Sequence, residues 1–262
     1  MGTQSLSPAA GDLAIDVVTP GGVGIVTALA AEARALTRYA LRLRTAMPLE
    51  HGGALWLSCM GQDAARQGAL ALVEAGVSAL VSFGVAGGLA PELRSGTLFC
   101  PSHVRDEHGR DYLLDPAWRA ALMQRLGPTT LACMEQGSLL SLPAPLLNAA
   151  DKALMHDRHH ALAVDMESAA IAAVASEYHL PFLVLRAVVD ERDDAVPGEL
   201  HGSVDAWGRP RTAQLLRALL RHPGLLAQLP VLARRMNQAT RALRAAASAA
   251  GTELGRATRQ PC

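Results

Sequence analysis

The chain has 262 residues and a formal net charge of zero; half of its residues are hydrophobic and 3% are aromatic. This length suits one α/β domain of ordinary size, and the scarcity of aromatic side chains argues against a base-stacking platform for single-stranded nucleic acid. Four widely spaced cysteines and no basic-then-apolar leader predict a cytoplasmic protein with reduced thiols, without a metal site or a disulfide framework.

Apolar runs alternate with Ala- and Leu-rich stretches after a loose leader at residues 1–20. Short apolar runs predict strands at 22–27, 54–60, 77–83, 97–104, 129–133, 161–164 and 182–189. Helical patterns predict helices at 28–43, 64–75, 116–126, 146–155 and 166–178. Strands that alternate with helices of this length predict an α/β domain over 21–222, with a mostly parallel sheet between helices. Residues 223–262 form a predicted basic helical extension.

Four segments are predicted at the carboxyl ends of strands, where open α/β sheets bind ligands. They are the turn after Thr27, the glycine-rich segment 84–88, the Asp165-Met166-Glu167 junction and Asp190. The glycine-rich segment matches neither a dinucleotide fingerprint nor a P-loop, so it is either a tight turn or a backbone surface for a ligand. The four segments meet only if their strands are neighbours.

The junction and Asp190 combine groups that suit a nucleoside. The carboxylate of Glu167 can accept two sugar hydroxyls, Met166 can pack on the sugar face, and Asp190 can protonate a leaving purine. Each residue also has a structural alternative: Asp165 and Glu167 as charges near a helix N-terminus, Met166 as core, and Asp190 as the start of a solvated loop. Taken together, they suggest cleavage of an N-glycosidic bond.

These segments together resemble the purine and uridine phosphorylase superfamily, most closely its methylthioadenosine/S-adenosylhomocysteine nucleosidases. The resemblance covers about residues 24–221, and its matching pieces are the strand-turn with Glu32, the Gly61 turn, and residues 83–90, 164–167 and 184–190. It implies a three-layer nucleoside phosphorylase-type fold, in which a central mixed, mostly parallel sheet is flanked by helices. It also implies N-glycosidic cleavage without a cofactor or metal, in a homodimer.

The resemblance also implies roles for single residues. Glu167 would bind the ribose hydroxyls, Asp190 would be the general acid, and Glu32 and Arg186 would hold the nucleophile, which is water or phosphate. The remaining substrate-binding residues would be Met166, Asp165, Val85, Ala86, Gly87 and Leu140.

The sequence departs from the family pattern at two places. The arginine that hexameric phosphorylases carry after the first strand is missing here, so the phosphate site is incomplete and water is the better-supported nucleophile. Arg34 or Arg186 would be the remaining ligand if phosphate were the co-substrate. The segment Gly137–Ser141, with Leu140, lacks the aromatic and acidic residues typical of the nucleosidases. A more open, aliphatic wall there suits a larger apolar substrate.

Residues 27–34 and 163–168 look most like the hopanoid-associated phosphorylases, which implies that adenine is removed from adenosylhopane. The alternatives are a methylthioadenosine/S-adenosylhomocysteine nucleosidase and a catalytically silent nucleoside-binding module. Retention of Glu32, Glu167, Arg186 and Asp190 together argues against the silent module.

The C-terminal fifth of the chain is basic: residues 208–262 hold ten arginines and one acid. Leu-Leu pairs mix with these arginines over 211–245. This pattern fits helices that associate peripherally with an anionic membrane surface, where a lipid-linked adenosine would reside. It fits equally well an ordinary helix packed on the domain with solvated arginines. RNA binding is a third alternative, which the lack of aromatic residues disfavours.

Overall fold

The computed structural model describes residues 21–50, 52–127, 133–134, 136–194 and 225–256. The described strands are β1 (Val23–Thr27), β2 (Ala46–Pro48), β3 (Ala54–Leu57), β4 (Ala79–Gly88), β5 (Leu98–Phe99), β6 (His103–Arg105), β7 (Asp111–Leu113), β8 (Cys133–Met134), β9 (Ser138–Ser141), β10 (Ala161–Asp165) and β11 (Phe182–Asp190). The described helices are α1 (Ala30–Leu36), α2 (Gln62–Glu74), α3 (Pro116–Leu126), α4 (Ala149–His159), α5 (Ser168–Glu177) and α6 (Leu225–Ala250).

The strands form one mixed sheet around β4. The main path runs β2-β3-β1-β4-β10-β9-β6-β7, and β11 also pairs with β4. Strands β1 and β11 run parallel to β4, whereas β10 runs antiparallel to it and pairs only with its last two residues. Helix α2 packs on α5, and α6 packs on α1, α3 and β11. The predicted α/β fold with a central mixed sheet flanked by helices is therefore confirmed.

The central strands are predominantly apolar and almost entirely buried, with Arg186 the charged exception in β11. Every residue of β1 and the first seven of β11 are buried, as are the first six of β4. Strands covered on both faces show such near-continuous apolar runs rather than alternation. The observed register of these strands places the polar residues at their ends beside one another.

The prediction that the third strand ends at 83 and turns at 84–88 was wrong, because β4 continues to Gly88. Gly84, Val85 and Ala86 pair in parallel with Arg186, Ala187 and Val188. The glycine at 84 permits a close approach rather than a turn. A Cβ there would lie 2.5 Å from both Arg186 Nη1 and Glu32 Oε1.

Helix α1 ends at Leu36, seven residues before the predicted end at 43. Thr37 is extended, with φ −145° and ψ 148°, and the chain then forms β2, which pairs antiparallel with β3. The predicted strand 97–104 is two strands, β5 and β6, with Pro101 between them. Short strands β2, β7 and β9 were not predicted. Most of the predicted strand 129–133 and the leader 1–20 lie outside the described residues.

Helix α6 packs on the domain along one face. Ala239, Leu243 and Ala246 are buried in the main core, while Arg241 and Arg244 are exposed. Over its described residues, the predicted C-terminal extension thus follows the alternative of a helix packed on the domain with solvated arginines. No helix within the described ranges combines the length and apolarity needed to cross a membrane.

Candidate active site

A cavity of about 220 Å³ opens where β1, β4 and β11 end. Strand β10 brings Asp165, Met166 and Glu167 to the same place, because it pairs antiparallel with the last residues of β4. Eight predicted site residues line this cavity: Glu32, Val85, Ala86, Gly87, Asp165, Met166, Glu167 and Asp190. The sheet therefore brings together four segments that are far apart in sequence.

Two predicted site residues do not line the cavity. Leu140 is fully buried in a small cluster with Leu89, Ala161 and Val164, behind the cavity wall. Arg186 is also buried, with 2% of its surface exposed. Each of them contacts or clusters with residues that do line the cavity: Leu140 with Val164, and Arg186 with Asp165 and Glu167.

Glu32 is held in the first turn of α1 by three backbone groups. Its Oε2 accepts hydrogen bonds from the N–H groups of Ala28 and Leu29, each at 2.9 Å, and its Oε1 accepts one from Val85 at 2.9 Å. Burial raises the pKa of this carboxyl, while Arg186 and the backbone donors oppose the rise. The result is a fixed carboxyl group at the cavity wall.

Glu167 stands at the residue before α5. Its Oε1 accepts a hydrogen bond from the Gly61 N–H at 2.9 Å, and its Oε2 lies 3.6 Å from Arg186 Nη2. Burial raises the pKa of Glu167 to about 7; Arg186 opposes this shift and Asp165 adds to it. Gly61, which has φ +101°, thus supplies a direct contact to the predicted ribose-binding residue.

Arg186 organises the carboxylates from beneath the cavity. Its Nη2 lies 2.5 Å from Asp165 Oδ2 and donates to the hydroxyls of Ser82 at 2.7 Å and Ser168 at 3.1 Å. Its Nη1 donates to the Val85 carbonyl at 3.3 Å. Both terminal nitrogens of the guanidinium thus donate to protein acceptors, whereas its buried Nε has no hydrogen-bond partner among the described residues.

Asp165 performs the structural role that its position before a helix suggested. Its Oδ1 accepts the backbone N–H groups of Glu167 and Ser168 at 3.3 and 3.2 Å, and its Oδ2 takes the Ser168 hydroxyl at 2.5 Å. Sequence reasoning missed Ser82 and Ser168. The available signal was a pair of small hydroxyls within otherwise apolar segments of β4 and α5.

Lys152 was also missed, although it contacts the predicted acid. Its ammonium forms a buried ion pair with Asp190 Oδ2 and donates to the carbonyls of Glu191 at 2.9 Å and Asp194 at 3.1 Å. The available signal was compositional: Lys152 is the only lysine in a chain with 23 arginines.

The cavity wall has an acidic end and an apolar end. Glu32, Asp165, Glu167 and Asp190 provide four carboxyl groups, and no basic side chain lines this cavity within the described part of the chain. Arg34, a predicted phosphate ligand, instead donates to the carbonyls of Arg38 and Tyr39 at 3.2 and 2.7 Å. The apolar end consists of Leu29, Met60, Ala144, Pro145, Leu146 and Leu147.

Known structures share this architecture. The 5′-methylthioadenosine/S-adenosylhomocysteine nucleosidase of Neisseria meningitidis has a TM-score of 0.65 and 18% identity, covering 89% of this chain and 97% of that one. The corresponding Helicobacter pylori nucleosidase has a TM-score of 0.62 and 17% identity, covering 87% and 98%. The futalosine hydrolase of H. pylori has a TM-score of 0.62 and 16% identity, covering 87% and 97%. At these identities the likeness shows a common fold.

The family assignment comes from the sequence itself. A family model described as the phosphorylase superfamily matches residues 23–221, which is most of the chain. This range includes every residue that lines the acidic end of the cavity. The chain belongs to the phosphorylase superfamily.

Proposed function

We propose that the protein hydrolyses the N-glycosidic bond of an adenosine derivative and releases adenine. The observation that carries this proposal is that every charged side chain lining the cavity in the described part of the chain is acidic, with Glu32, Glu167 and Asp190 among them. Carboxylates favour the positive charge that develops on the sugar as the bond breaks, and they repel a phosphate dianion. Water is therefore the nucleophile that this site supports.

In this proposal three carboxyl groups have separate roles. Glu167 accepts the ribose hydroxyls beside Met166, which packs on the sugar. Asp190 donates a proton to the purine ring, so that the C1′–N9 electron pair leaves on a neutral base. Glu32, fixed by three backbone N–H groups, orients the attacking water and takes its proton. No metal or cofactor enters this scheme.

The apolar end of the cavity supports a substrate with an apolar group at the ribose 5′ position. Leu29, Met60 and the segment 144–147 offer aliphatic surface and no charge to such a group. This supports adenosylhopane, the substrate that the resemblance to hopanoid-associated phosphorylases suggests. Methylthioadenosine and S-adenosylhomocysteine are the second candidates, because nucleosidases for them share this fold.

The test is adenine release, measured by chromatography, from adenosylhopane in detergent, methylthioadenosine and S-adenosylhomocysteine, each with and without phosphate. We expect release from adenosylhopane at a rate that phosphate does not change. Fast release from the small nucleosides alone would contradict adenosylhopane as the substrate. A strict requirement for phosphate would show that the reaction is phosphorolysis and not hydrolysis. If the folded protein releases no base from any of these substrates, the catalytically silent binding module is the remaining alternative.

We also propose that the protein is a homodimer and that its basic C-terminal segment contacts an anionic membrane surface. Because the described part of α6 buries its apolar face in the domain, that contact would rest on exposed arginines such as Arg234, Arg241 and Arg244. Light scattering measures the mass, and sedimentation with anionic vesicles measures the binding. Unchanged sedimentation after substitution of these arginines by glutamine would remove the membrane proposal.

A further inference from the structure

The only lysine of the chain is buried beside the proposed acid. Lys152 lies on α4 with 1% of its surface exposed, and its ammonium pairs with the Asp190 carboxyl at the end of β11. Lysine is almost never this buried unless it is paired, because removing its charge from water is costly. The other 23 basic residues are arginines, so the choice of lysine at this position calls for a physical reason.

That reason is the arrangement of acceptors around one point. The three N–H bonds of the ammonium are all used, on Asp190 Oδ2 and on the carbonyls of Glu191 and Asp194. A lysine ammonium is a compact charge with three diverging donors, whereas a guanidinium is a planar fork suited to flat, bidentate partners. Lysine therefore fits a pocket formed by a carboxyl oxygen and the turn that follows it.

We propose that Lys152 is a positioning residue for proton delivery, an inference that rests on the proposed function. Its ammonium holds Oδ2 of Asp190, which leaves Oδ1 to carry the proton to the leaving base. It also links α4, which follows the apolar wall at 144–147, to the end of β11. Lys152 thereby fixes the position of Asp190 relative to the apolar wall at 144–147, which would cover the substrate.

The charge of Lys152 acts on the state of Asp190 after proton transfer. When the Oδ1 proton passes to the purine ring and the C1′–N9 bond breaks, Asp190 is left as a carboxylate within a largely buried site. A neighbouring ammonium stabilises that carboxylate through a charge-assisted hydrogen bond. The water that attacks C1′ gives its proton to Glu32. Glu32 then releases this proton to solvent and solvent returns one to Asp190, so that the cycle closes.

The test compares two leaving groups in Lys152→Met, which removes the charge and keeps an aliphatic chain. Adenine needs a proton in order to leave, whereas 4-nitrophenyl β-ribofuranoside releases a stable phenolate without one. We expect Lys152→Met to lower kcat for the adenosine substrate about 10- to 100-fold, with little change in KM. The kcat for the nitrophenyl riboside falls by less than about three-fold, and Lys152→Arg recovers part of the adenosine activity.

Two controls separate this role from a structural one. Arg158→Met changes an exposed basic residue on the same helix and is expected to leave both rates unchanged. In an Asp190→Asn background, Lys152→Met should cost no further kcat, because residues that act as a unit are not additive. Selective ¹⁵N-lysine labelling gives a single side-chain resonance at position 152, which reports whether the ammonium stays ordered in Asp190→Asn.

The proposal would be overturned if Lys152→Met lowered kcat equally for both substrates, or if it kept the wild-type kcat for the adenosine substrate. If Lys152→Met does not fold, Lys152→Arg decides the matter by the same comparison: selective loss of the adenosine substrate supports the role, and equal loss removes it. A wild-type protein that cleaves the nitrophenyl riboside but no purine nucleoside overturns the assigned substrate class. One that cleaves neither overturns the proposed function, and this inference with it.

Discussion

The properties of Glu167 follow from where it is buried rather than from its chemistry alone. A surface glutamate would be ionised at neutral pH, but burial raises the pKa of this one to about 7. Hydroxyl groups bind best to the carboxylate form, because it accepts hydrogen bonds through both oxygens. Ribose recognition at this residue should therefore depend on pH close to neutrality.

We expect KM for the nucleoside to rise as pH falls below about 7, by up to ten-fold per pH unit, since one pKa unit corresponds to a ten-fold change in the carboxylate fraction. Steady-state kinetics between about pH 5 and pH 8 measure this. A 2′-deoxy substrate, which lacks one hydroxyl, should show a weaker dependence. The variant Glu167→Gln should lose the dependence; if it keeps the wild-type profile, another group titrates.

Arg186 shows what a single buried charge does for its neighbours. It lies 2.5 Å from Asp165, and its charge opposes the raised pKa values of Glu32 and Glu167. Removal of one partner from a buried ion pair leaves the other charge uncompensated. We expect Arg186→Met to lower the free energy of unfolding by about 3–5 kcal/mol, as measured by urea denaturation.

The double variant Arg186→Met, Asp165→Asn tests the cause of that loss. It should recover part of the stability, because the uncompensated carboxylate is then absent. Substitution of the exposed Arg244 by methionine serves as a control for the loss of a guanidinium and should change stability by less than about 0.5 kcal/mol. Equal losses in the single and double variants would mean that packing, rather than charge, is what Arg186 provides.

At the scale of elements, the sequence indicated the long apolar strands but not where they end. The glycines at 84–88 were interpreted as a turn because turns favour glycine. In the structure they continue β4. Position 84 suits glycine for a different reason, because the side chains of Glu32 and Arg186 occupy the space that a side chain there would fill. Residues 106 positions apart, such as Gly61 and Glu167, meet only after folding, so no local pattern contained that contact.

The segments of the site were predictable because each lies at the end of a strand, and their convergence was not. Their meeting depends on strand order, with β4 between β1 and both β10 and β11. Sequence gives no direct signal of which strands are neighbours. Lys152 was missed for the same reason, because α4 reaches the end of β11 only through the tertiary fold.

We expect Gly84→Ala to abolish most activity. An added Cβ would lie 2.5 Å from Glu32 Oε1 and from Arg186 Nη1, so both side chains must move. Displacement of an active-site group by about 1 Å commonly costs about 100-fold in rate. Gly88→Ala on the same strand gives a looser comparison, because the added Cβ would lie 3.2 Å from the Asp190 carbonyl oxygen and 3.4 Å from Val188 Cγ1, so a smaller loss is expected. Similar activity in the two variants would argue against close packing at position 84 as the reason for the glycine.

At the scale of the whole molecule, the site concentrates charge that the fold must tolerate. Three buried carboxyl groups, those of Glu32, Asp165 and Glu167, surround the single guanidinium of Arg186. This excess of negative charge suits a cationic transition state but makes the unliganded protein less stable. Trade-offs of this kind between activity and stability are common at enzyme sites.

The direction in which pH changes the stability of the protein at this site follows from the raised pKa of Glu167. Its folded-state value of about 7 lies above its ordinary value of 4.5, so the native state binds more protons than the unfolded state between these values. The contribution of Glu167 to stability therefore falls as pH rises from about 4.5 to about 7 and then levels off, whereas the lowered pKa of His159 acts in the opposite direction. The raised pKa of Glu32 acts in the same direction as that of Glu167. The pKa of Asp111 is lowered by Arg105, and its contribution is lost only below 3.8, outside this window.

Glu167→Gln keeps the shape of the side chain and removes its charge. At about pH 4.5 the wild-type residue is already neutral in the native state, so the two proteins should melt at similar temperatures. At about pH 8 the variant should melt several degrees higher, because the wild type then carries the buried carboxylate. Scanning calorimetry at both values, with exposed Glu177→Gln as the matched control, measures the difference. A variant that is less stable at both values would show that the hydrogen bond from Gly61, and not the buried charge, dominates at this position.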